Sequence, residues 1–174
     1  MLTATRIGKI QNGLAWLAKQ QNADGSFGVG TYRGNIAVTS LAGLAFMSGG
    51  LTSGAAHGPQ IDKALAYVME NTSDSGAIAV ASTSTHGPMY SHGFGALFAE
   101  AYGMTHRPEI REKLQKAVRL IIDTQNNEGG RRYQPRRADA DLSVTICQIN
   151  ALSGSRGTPG STSPRRRSRP ASAT

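Results

Sequence analysis

The sequence predicts an all-α fold made of three helical hairpins, and two observations support that prediction. A sequence pattern that ends in a glycine turn, which we call the frame, recurs three times along the chain. Apolar residues within each copy are spaced three and four residues apart. That spacing places the apolar side chains on one stripe of an α-helix. The only strand-like run of β-branched residues is GAIAVAST, residues 76–83, and we expect it to lie in a loop.

The three copies of the frame have nearly equal spacing. They are NGLAWLAKQQNADGSF (12–27), KALAYVMENTSDSGAI (63–78) and KAVRLIIDTQNNEGGR (116–131). Their turn glycines, Gly25, Gly76 and Gly129, lie 51 and 53 residues apart. Self-similarity at such a period is typical of stacked supersecondary units.

Each copy is expected to begin with a helix that has one buried stripe. The stripe residues are Ile7, Ile10, Leu14 and Leu17, then Ile61, Leu65 and Val68, then Leu114, Val118 and Ile121. These helices should end at the glycine turns, because a positive φ costs least at glycine. Second helices follow at about residues 36–47, 91–104 and 141–152, and they are rich in small residues. Small residues let helix backbones approach closely, which predicts an inner layer of second helices with the first helices outside.

The order and spacing of the frame resemble the QW motif of the terpenoid cyclases. The first copy matches it at Gly13, Trp16, Leu17, Gln21, Gly25 and Phe27. The second keeps Lys63, Ala64, Tyr67, Val68 and Gly76 but has no glutamine, and the third keeps Lys116, Ala117, Ile121, Gln125 and Gly129. The third copy has Leu120 and Arg131 where the motif has aromatic residues.

This resemblance spans residues 5–152 and implies the α/α toroid of squalene-hopene cyclases and protein prenyltransferase β subunits. It is closer still to bacterial prenyltransferase or squalene-oxidase repeat proteins. Hairpins at about 5–50, 58–104 and 109–152 would form about half of an α6/α6 barrel. The resemblance also implies that Gln21 and Gln125 stabilise their turns by hydrogen bonds, and that Arg131 leaves its junction looser.

Class II cyclases of this kind protonate an isoprenoid double bond with the middle acid of an Asp-x-Asp-Asp motif. The segment ADADLSVT, residues 138–145, makes Asp141 the implied proton donor and Asp139 its partner, with Leu142 in place of the third acid. Asp141 also directly precedes a helical pattern, so it is a natural N-cap, and a helix N-terminus favours an ionised carboxylate. Both interpretations stay open.

Three aromatic residues on the second inner helix are the implied substrate-binding residues. Tyr90, Phe94 and Phe98 would line a cavity and stabilise cations of an apolar isoprenoid, if the ring were complete. Packing in the core is the alternative for these three residues.

The sequence predicts no metal and no cofactor. The Asp-x-Cys pair of the zinc-dependent prenyltransferases is missing after Gly130, and His86 and His92 lack a helical metal spacing. We expect these two histidines in loop or polar-lining positions. Cys147 is expected to be a small buried hydrophobe on an inner helix.

The net charge of +8 arises mostly from the last 22 residues, which hold five arginines and no acid. We therefore expect no nucleic-acid binding by the folded part, and a disordered tail at 153–174. A shifted reading frame or a truncated gene is our hypothesis for the tail, and a basic arm for nucleic acid or anionic lipid is the alternative. The single cysteine and the lack of a signal-peptide or membrane-spanning run predict a cytoplasmic location.

The leading functional hypothesis is an inactive fragment of an isoprenoid cyclase or prenyltransferase-like repeat protein. A toroid scaffold or binding protein without catalytic activity is the alternative. The open end of the incomplete ring suggests self-association.

Overall fold

A computed structural model describes residues 3–49, 57–84, 86–103 and 106–154, and within these ranges the chain forms helices and no strand. The six α-helices are α1 Ala4–Ala18, α2 Ile36–Ser48, α3 Gly58–Glu70, α4 Met89–Phe98, α5 Arg111–Asp123 and α6 Leu142–Gly154. A π-helical turn, Ala99–Gly103, extends α4. The all-α prediction is thus confirmed. The expected end of the second inner helix at residue 104 and the tail from residue 155 lie outside the described residues.

The second helices of the three hairpins pack side by side, α2 on α4 and α4 on α6. The first helices pack on them: α1 and α3 contact α2, and α5 contacts α4 and α6. Close approach within this layer depends on small residues. A Cβ at Gly93 of α4 would lie 2.5 Å from Cys147 Sγ of α6. The hairpins therefore follow one another in chain order, while curvature of the array into a toroid stays a prediction.

The predicted buried stripe is complete on α3 and only partial on α1. Ile61, Leu65 and Val68 have no more than 2% of their surface exposed. On α1, Leu14 packs against the core, but Ile7 remains 43% exposed. The reason is packing: among the described residues α3 packs on α2 and on the π-helical turn after α4, whereas the main contact of α1 is with α2.

The three glycine turns, residues 21–25, 72–76 and 125–129, have the expected left-handed glycines, with φ values of +87° at Gly25, +87° at Gly76 and +94° at Gly129. The first two turns also lie against the first helix of the next hairpin. A Cβ at Gly25 would be 2.5 Å from the carbonyl oxygen of Lys63, and one at Gly76 would be 2.5 Å from the carbonyl carbon of Lys116. Glycine is required there for close backbone approach as well as for its φ.

The glutamine of the first turn joins two hairpins, as the sequence resemblance implied. Gln21 Nε2 donates to the carbonyl of Gly25 at 3.0 Å and to the carbonyl of Gln60 in α3 at 2.9 Å. Gln125 Nε2 donates within its own turn, to the carbonyl of Gly129 at 2.8 Å. Hydrogen bonds from the glutamines are thus present in both turns, each worth about 1 kcal/mol, but among the described residues only Gln21 reaches another hairpin.

Arg131 is buried and tied to its own hairpin, while the looser junction expected at this position stays a prediction. It has 4% of its surface exposed, and its Nε donates to the carbonyl of Ile121 in α5 at 2.9 Å. The arginine satisfies the end of α5 with this bond, so the corner is held by a polar contact in place of the motif's aromatic packing.

A second repeated contact, which the sequence frame did not reveal, joins each turn to its inner helix. The residue two positions after the turn glycine donates its backbone N–H to a side chain four positions after the N-cap. The three pairs are Phe27 to Thr39 Oγ1 at 2.9 Å, Ile78 to His92 Nδ1 at 3.2 Å, and Arg131 to Thr145 Oγ1 at 2.9 Å. The residue types differ, so self-similarity of the sequence does not show the equivalence.

We predict that Gly76→Ala destabilises the protein more than Gly129→Ala does. Both substitutions place a side chain at positive φ, which costs about 1–2 kcal/mol. Only Gly76 is pressed against a neighbouring backbone, whereas a Cβ at Gly129 would meet Gln125 Nε2 at 3.6 Å. The overlap should add about 1–3 kcal/mol at Gly76. Urea unfolding of both variants measures the difference, and equal losses would show that the turn does not press on α5.

Candidate functional site

The candidate site lies where the loop before α6 crosses the start of α4. The backbone N–H of Met89 donates to the carbonyl of Tyr133 at 3.2 Å. Gly87, at φ +91°, lets the two segments touch, because a Cβ there would lie 2.5 Å from the same carbonyl oxygen. The loops of the second and third hairpins are therefore in contact.

Beside this contact is an open cleft of about 580 Å³. Its lining is mostly polar, and among the lining residues are His86, Arg132, Tyr133, Arg136 and Asp139. The cleft can therefore offer hydrogen bonds and charge to a ligand.

Asp141 lies at the start of α6 and accepts hydrogen bonds from three directions. Its Oδ1 accepts from the backbone N–H of Val144 at 3.0 Å and from Ser143 Oγ at 2.5 Å. Its Oδ2 accepts from the Tyr133 hydroxyl at 2.9 Å. The bond from Val144 is that of a helix N-cap, so the N-cap interpretation of Asp141 is confirmed.

A fourth side chain, that of Tyr90 in α4, joins those of Asp141, Ser143 and Tyr133. Its hydroxyl lies 2.5 Å from Ser143 Oγ. Because the Ser143 proton is given to Asp141, the Tyr90 hydroxyl must be the donor of this pair. All protons of the network thus point toward the carboxylate. Tyr90 and Tyr133 also pack ring to ring, with centroids 6.0 Å apart. We call these four residues, Tyr90, Tyr133, Asp141 and Ser143, the Asp141 network.

The network keeps the Asp141 carboxylate ionised. The hydroxyl of Ser143, and then the backbone N–H of Val144 and the hydroxyl of Tyr133, lower the pKa of Asp141 from 3.8 to about 2. The same contact raises the pKa of Tyr133, since the phenol proton is shared with a carboxylate. An acid that protonates an alkene needs the reverse, a carboxyl that holds its proton at neutral pH.

Asp139 is not part of the Asp141 network and has its own partner. Its carboxylate forms an ion pair with Arg132, whose guanidinium also lies 5.2 Å from the centre of the Tyr133 ring. Asp139 is exposed and lines the cleft. The catalytic pairing of Asp139 with Asp141 stays a prediction.

The three predicted substrate-binding residues lie in two different places. Tyr90 and Phe94 line a smaller cleft of about 220 Å³ between α2 and α4. Phe98 is completely buried, and its ring fills the space left by Gly43 of α2, where a Cβ would be 2.4 Å away. Phe98 packs in the core, which was the alternative considered for it.

His92 lies inside α4, away from the loop and polar-lining positions expected for it. It is 1% exposed, accepts from the N–H of Ile78 at Nδ1, and donates from Nε2 to the carbonyl of Ala117 in α5 at 3.0 Å. Burial lowers its pKa from 6.5 to about 4, so the neutral imidazole joins the second hairpin to the third. His86, in contrast, lies at both clefts.

Cys147 is a buried thiol on α6, as expected from its sequence context. Burial raises its pKa to about 12, so it is not a reactive thiolate. Across the described ranges, no group of three or more His, Cys, Asp and Glu side chains is placed to hold a metal ion. Nor does any helix in these ranges combine the length and apolar character that a membrane crossing requires.

One carboxyl that the sequence did not single out has the raised pKa of a potential acid. Glu100 lies in the π-helical turn after α4, and burial raises its pKa from 4.5 to about 7. Its Oε2 is buried and accepts no hydrogen bond from the described residues. No motif marks this position, because the shift arises from tertiary burial.

Protein-family models, curated proteins and solved structures were compared with this chain, and none of the three comparisons gave a match. The resemblance to terpenoid cyclase and prenyltransferase repeats therefore rests on the sequence frame.

We predict that His92 makes the protein less stable in acid. Its folded pKa of about 4 lies below the ordinary 6.5, so between these values the unfolded chain binds a proton that the folded chain does not. The contribution is complete above pH 6.5 and falls by about 3 kcal/mol as the pH drops to about 4. Urea unfolding of wild type and of His92→Gln across this pH range measures the effect. The free energy of unfolding should fall more steeply with decreasing pH in wild type than in the variant.

The variant comparison is needed because Glu100 acts in the opposite direction. Its raised pKa means that stability is lost as the pH rises from 4.5 to about 7. Glu100 is present in both proteins, so its contribution cancels in the difference between wild type and His92→Gln. Equal slopes in wild type and His92→Gln would contradict the prediction.

Proposed function

We propose that this chain is a non-catalytic helical-repeat scaffold that presents the polar cleft beside α6 to a partner. One observation carries the proposal: the Asp141 carboxylate is an ionised N-cap whose donors lower its pKa to about 2. All three donors favour the charged form of this carboxylate, which opposes a role as an acid. The position that the cyclase resemblance makes catalytic is thus occupied by a residue with a structural task.

The lining of the larger cleft supports the same conclusion. Arg132, Arg136 and Gln134 bring charge and amide groups to its surface. An apolar isoprenoid offers no hydrogen bonds to Gln134 or Arg136, at a cost of roughly 1–3 kcal/mol for each such group that it removes from water. A polar or acidic partner satisfies them.

An isoprenoid cyclase is the second candidate, and the position of two tyrosine rings favours it. Tyr90 and Tyr133 pack together beside Asp141, and aromatic faces stabilise the cations that follow alkene protonation. This candidate requires a conformation in which Asp141 holds a proton, against the donors that now lower its pKa. The isoprenoid ligand and the cytoplasmic location remain predictions from the sequence.

A pH titration combined with a turnover assay separates the two candidates. For the scaffold we expect the Asp141 side-chain carboxyl to titrate near pH 2 by NMR, and we expect no product from squalene or geranylgeranyl diphosphate. A carboxyl pKa above the ordinary value of 3.8, together with product that disappears in Asp141→Asn, would establish the cyclase instead.

Asp141→Asn is a suitable variant because asparagine caps helices about as well as aspartate. Loss of product in this variant would therefore report on chemistry and not on unfolding. Asp123→Asn is the matched control: it removes an exposed carboxylate that pairs with Arg119 on α5 and leaves the N-cap bond to Val144 in place.

A further inference from the structure

The two junctions between hairpins show how a glycine turn docks on the helix that follows. At the first junction, Gly25 lies on the backbone of α3 at Lys63, and Gln21 donates to the carbonyl of Gln60. The Tyr67 hydroxyl reaches back to the carbonyl of Gly34 at 2.7 Å. At the second junction, Gly76 lies on α5 in the same way. We call the helix surface that accepts a turn the receiving face.

The first helix, α1, has a receiving face of its own, and none of the described turns covers it. The frame aligns Gln60, Lys63, Ala64 and Tyr67 of α3 with Lys9, Asn12, Gly13 and Trp16 of α1. These α1 positions lie on one side of the helix, because they are three and four residues apart.

Burial shows that this face of α1 is open. Ala64 and Ala117, which lie under the docked turns, have 0% of their surface exposed. Their α1 counterpart is Gly13, and among the described residues nothing comes within 4 Å of a Cβ built there. Trp16, the counterpart of Tyr67, is 63% exposed.

The other end of the stack has the complementary surface. The third turn presents Gln125 and Gly129, and among the described residues no following helix lies against this glycine. On α6 beside it, Leu142, Ile146 and Ile149 are 76%, 48% and 47% exposed. Their spacing puts them on the side of α6 opposite the buried Val144, Cys147 and Ala151.

We propose that the third turn and α6 of one copy of this chain dock on α1 of a second copy, head to tail. The contact continues the internal junctions of the stack: Gly129 lies on the backbone at Gly13, and Gln125 donates to the carbonyl of Lys9. Trp16 and the apolar face of α6 become covered. Residues 155–174 cannot fill this role, because Ala is their only apolar residue type. The inference is independent of what the cleft binds.

Such a contact joins two different surfaces, so each bound copy still has one free end. Copies then add until the ends meet in a ring, or they continue as a filament. This property distinguishes the proposal from a two-fold dimer, in which one surface meets an identical surface.

Two variants that each block one end test the proposal. Gly13→Arg fills the receiving face of α1 and also improves helix propensity, so it should fold. Ile146→Glu places a charge on the half-exposed face of α6. By sedimentation velocity over a concentration series, we expect wild type to associate, each variant alone to be a monomer, and an equimolar mixture to form a species of twice the monomer mass. In the mixture, the free α6 end of one variant meets the free α1 face of the other.

Gly8→Arg is the matched control for the α1 variant, because it introduces the same charge on the same helix. No described atom lies within 4 Å of a Cβ built at Gly8, and this position is beside the receiving face and not on it. It should associate like wild type. The proposal is overturned if wild type is a monomer at every concentration, if either variant still associates alone, or if the mixture stays monomeric.

Discussion

The contact between a glycine turn and the first helix of the next hairpin is the one on which the rest of the structure depends. At Gly25 and Gly76 the chain runs so close to the following helix that no side chain fits between the two backbones. That approach sets the distance between hairpins, and with it the depth at which Leu65 and Ile121 are buried. Hydrogen bonds from Gln21 then fix the register of the junction. Because each hairpin relies on its neighbour for burial, stability accumulates along the stack, as in other repeat proteins.

The polar interior of the stack is less regular in sequence than in geometry. In successive hairpins, the equivalent backbone N–H donates to Thr39, His92 and Thr145. A threonine can do this with a short side chain, whereas the larger imidazole of His92 also reaches α5 and must stay neutral when buried. The middle hairpin, which has neighbours on both sides, therefore contains a buried imidazole whose pKa is lowered. Equivalent positions of the repeat can thus make the same contact with different residue types, one of which titrates.

The Asp141 network shows why an acidic residue at the position of a catalytic motif does not by itself make a catalyst. A carboxyl group serves as an acid only where burial or a neighbouring negative charge holds its proton. Asp141 lies at a helix N-terminus among three donors, which favour the charged form. Glu100, with a pKa of about 7, has the electrostatic surroundings that Asp141 lacks, although no sequence motif marks it.

The sequence by itself determined the secondary structure, the three hairpins and the role of the turns. Apolar spacing and positive φ at glycine are local properties, so Gln21, Gly76 and the N-cap at Asp141 could be predicted from short segments. Tertiary structure alone decided which surfaces are covered. Trp16 and Tyr67 occupy the same position of the frame, yet Trp16 is exposed because no described turn lies against α1, while Tyr67 reaches a neighbouring hairpin. The burial of Phe98, the tie made by His92 and the pKa of Glu100 likewise depend on contacts between segments far apart in the chain. The physical reason is that burial and desolvation are properties of the packed neighbours and not of the residue itself.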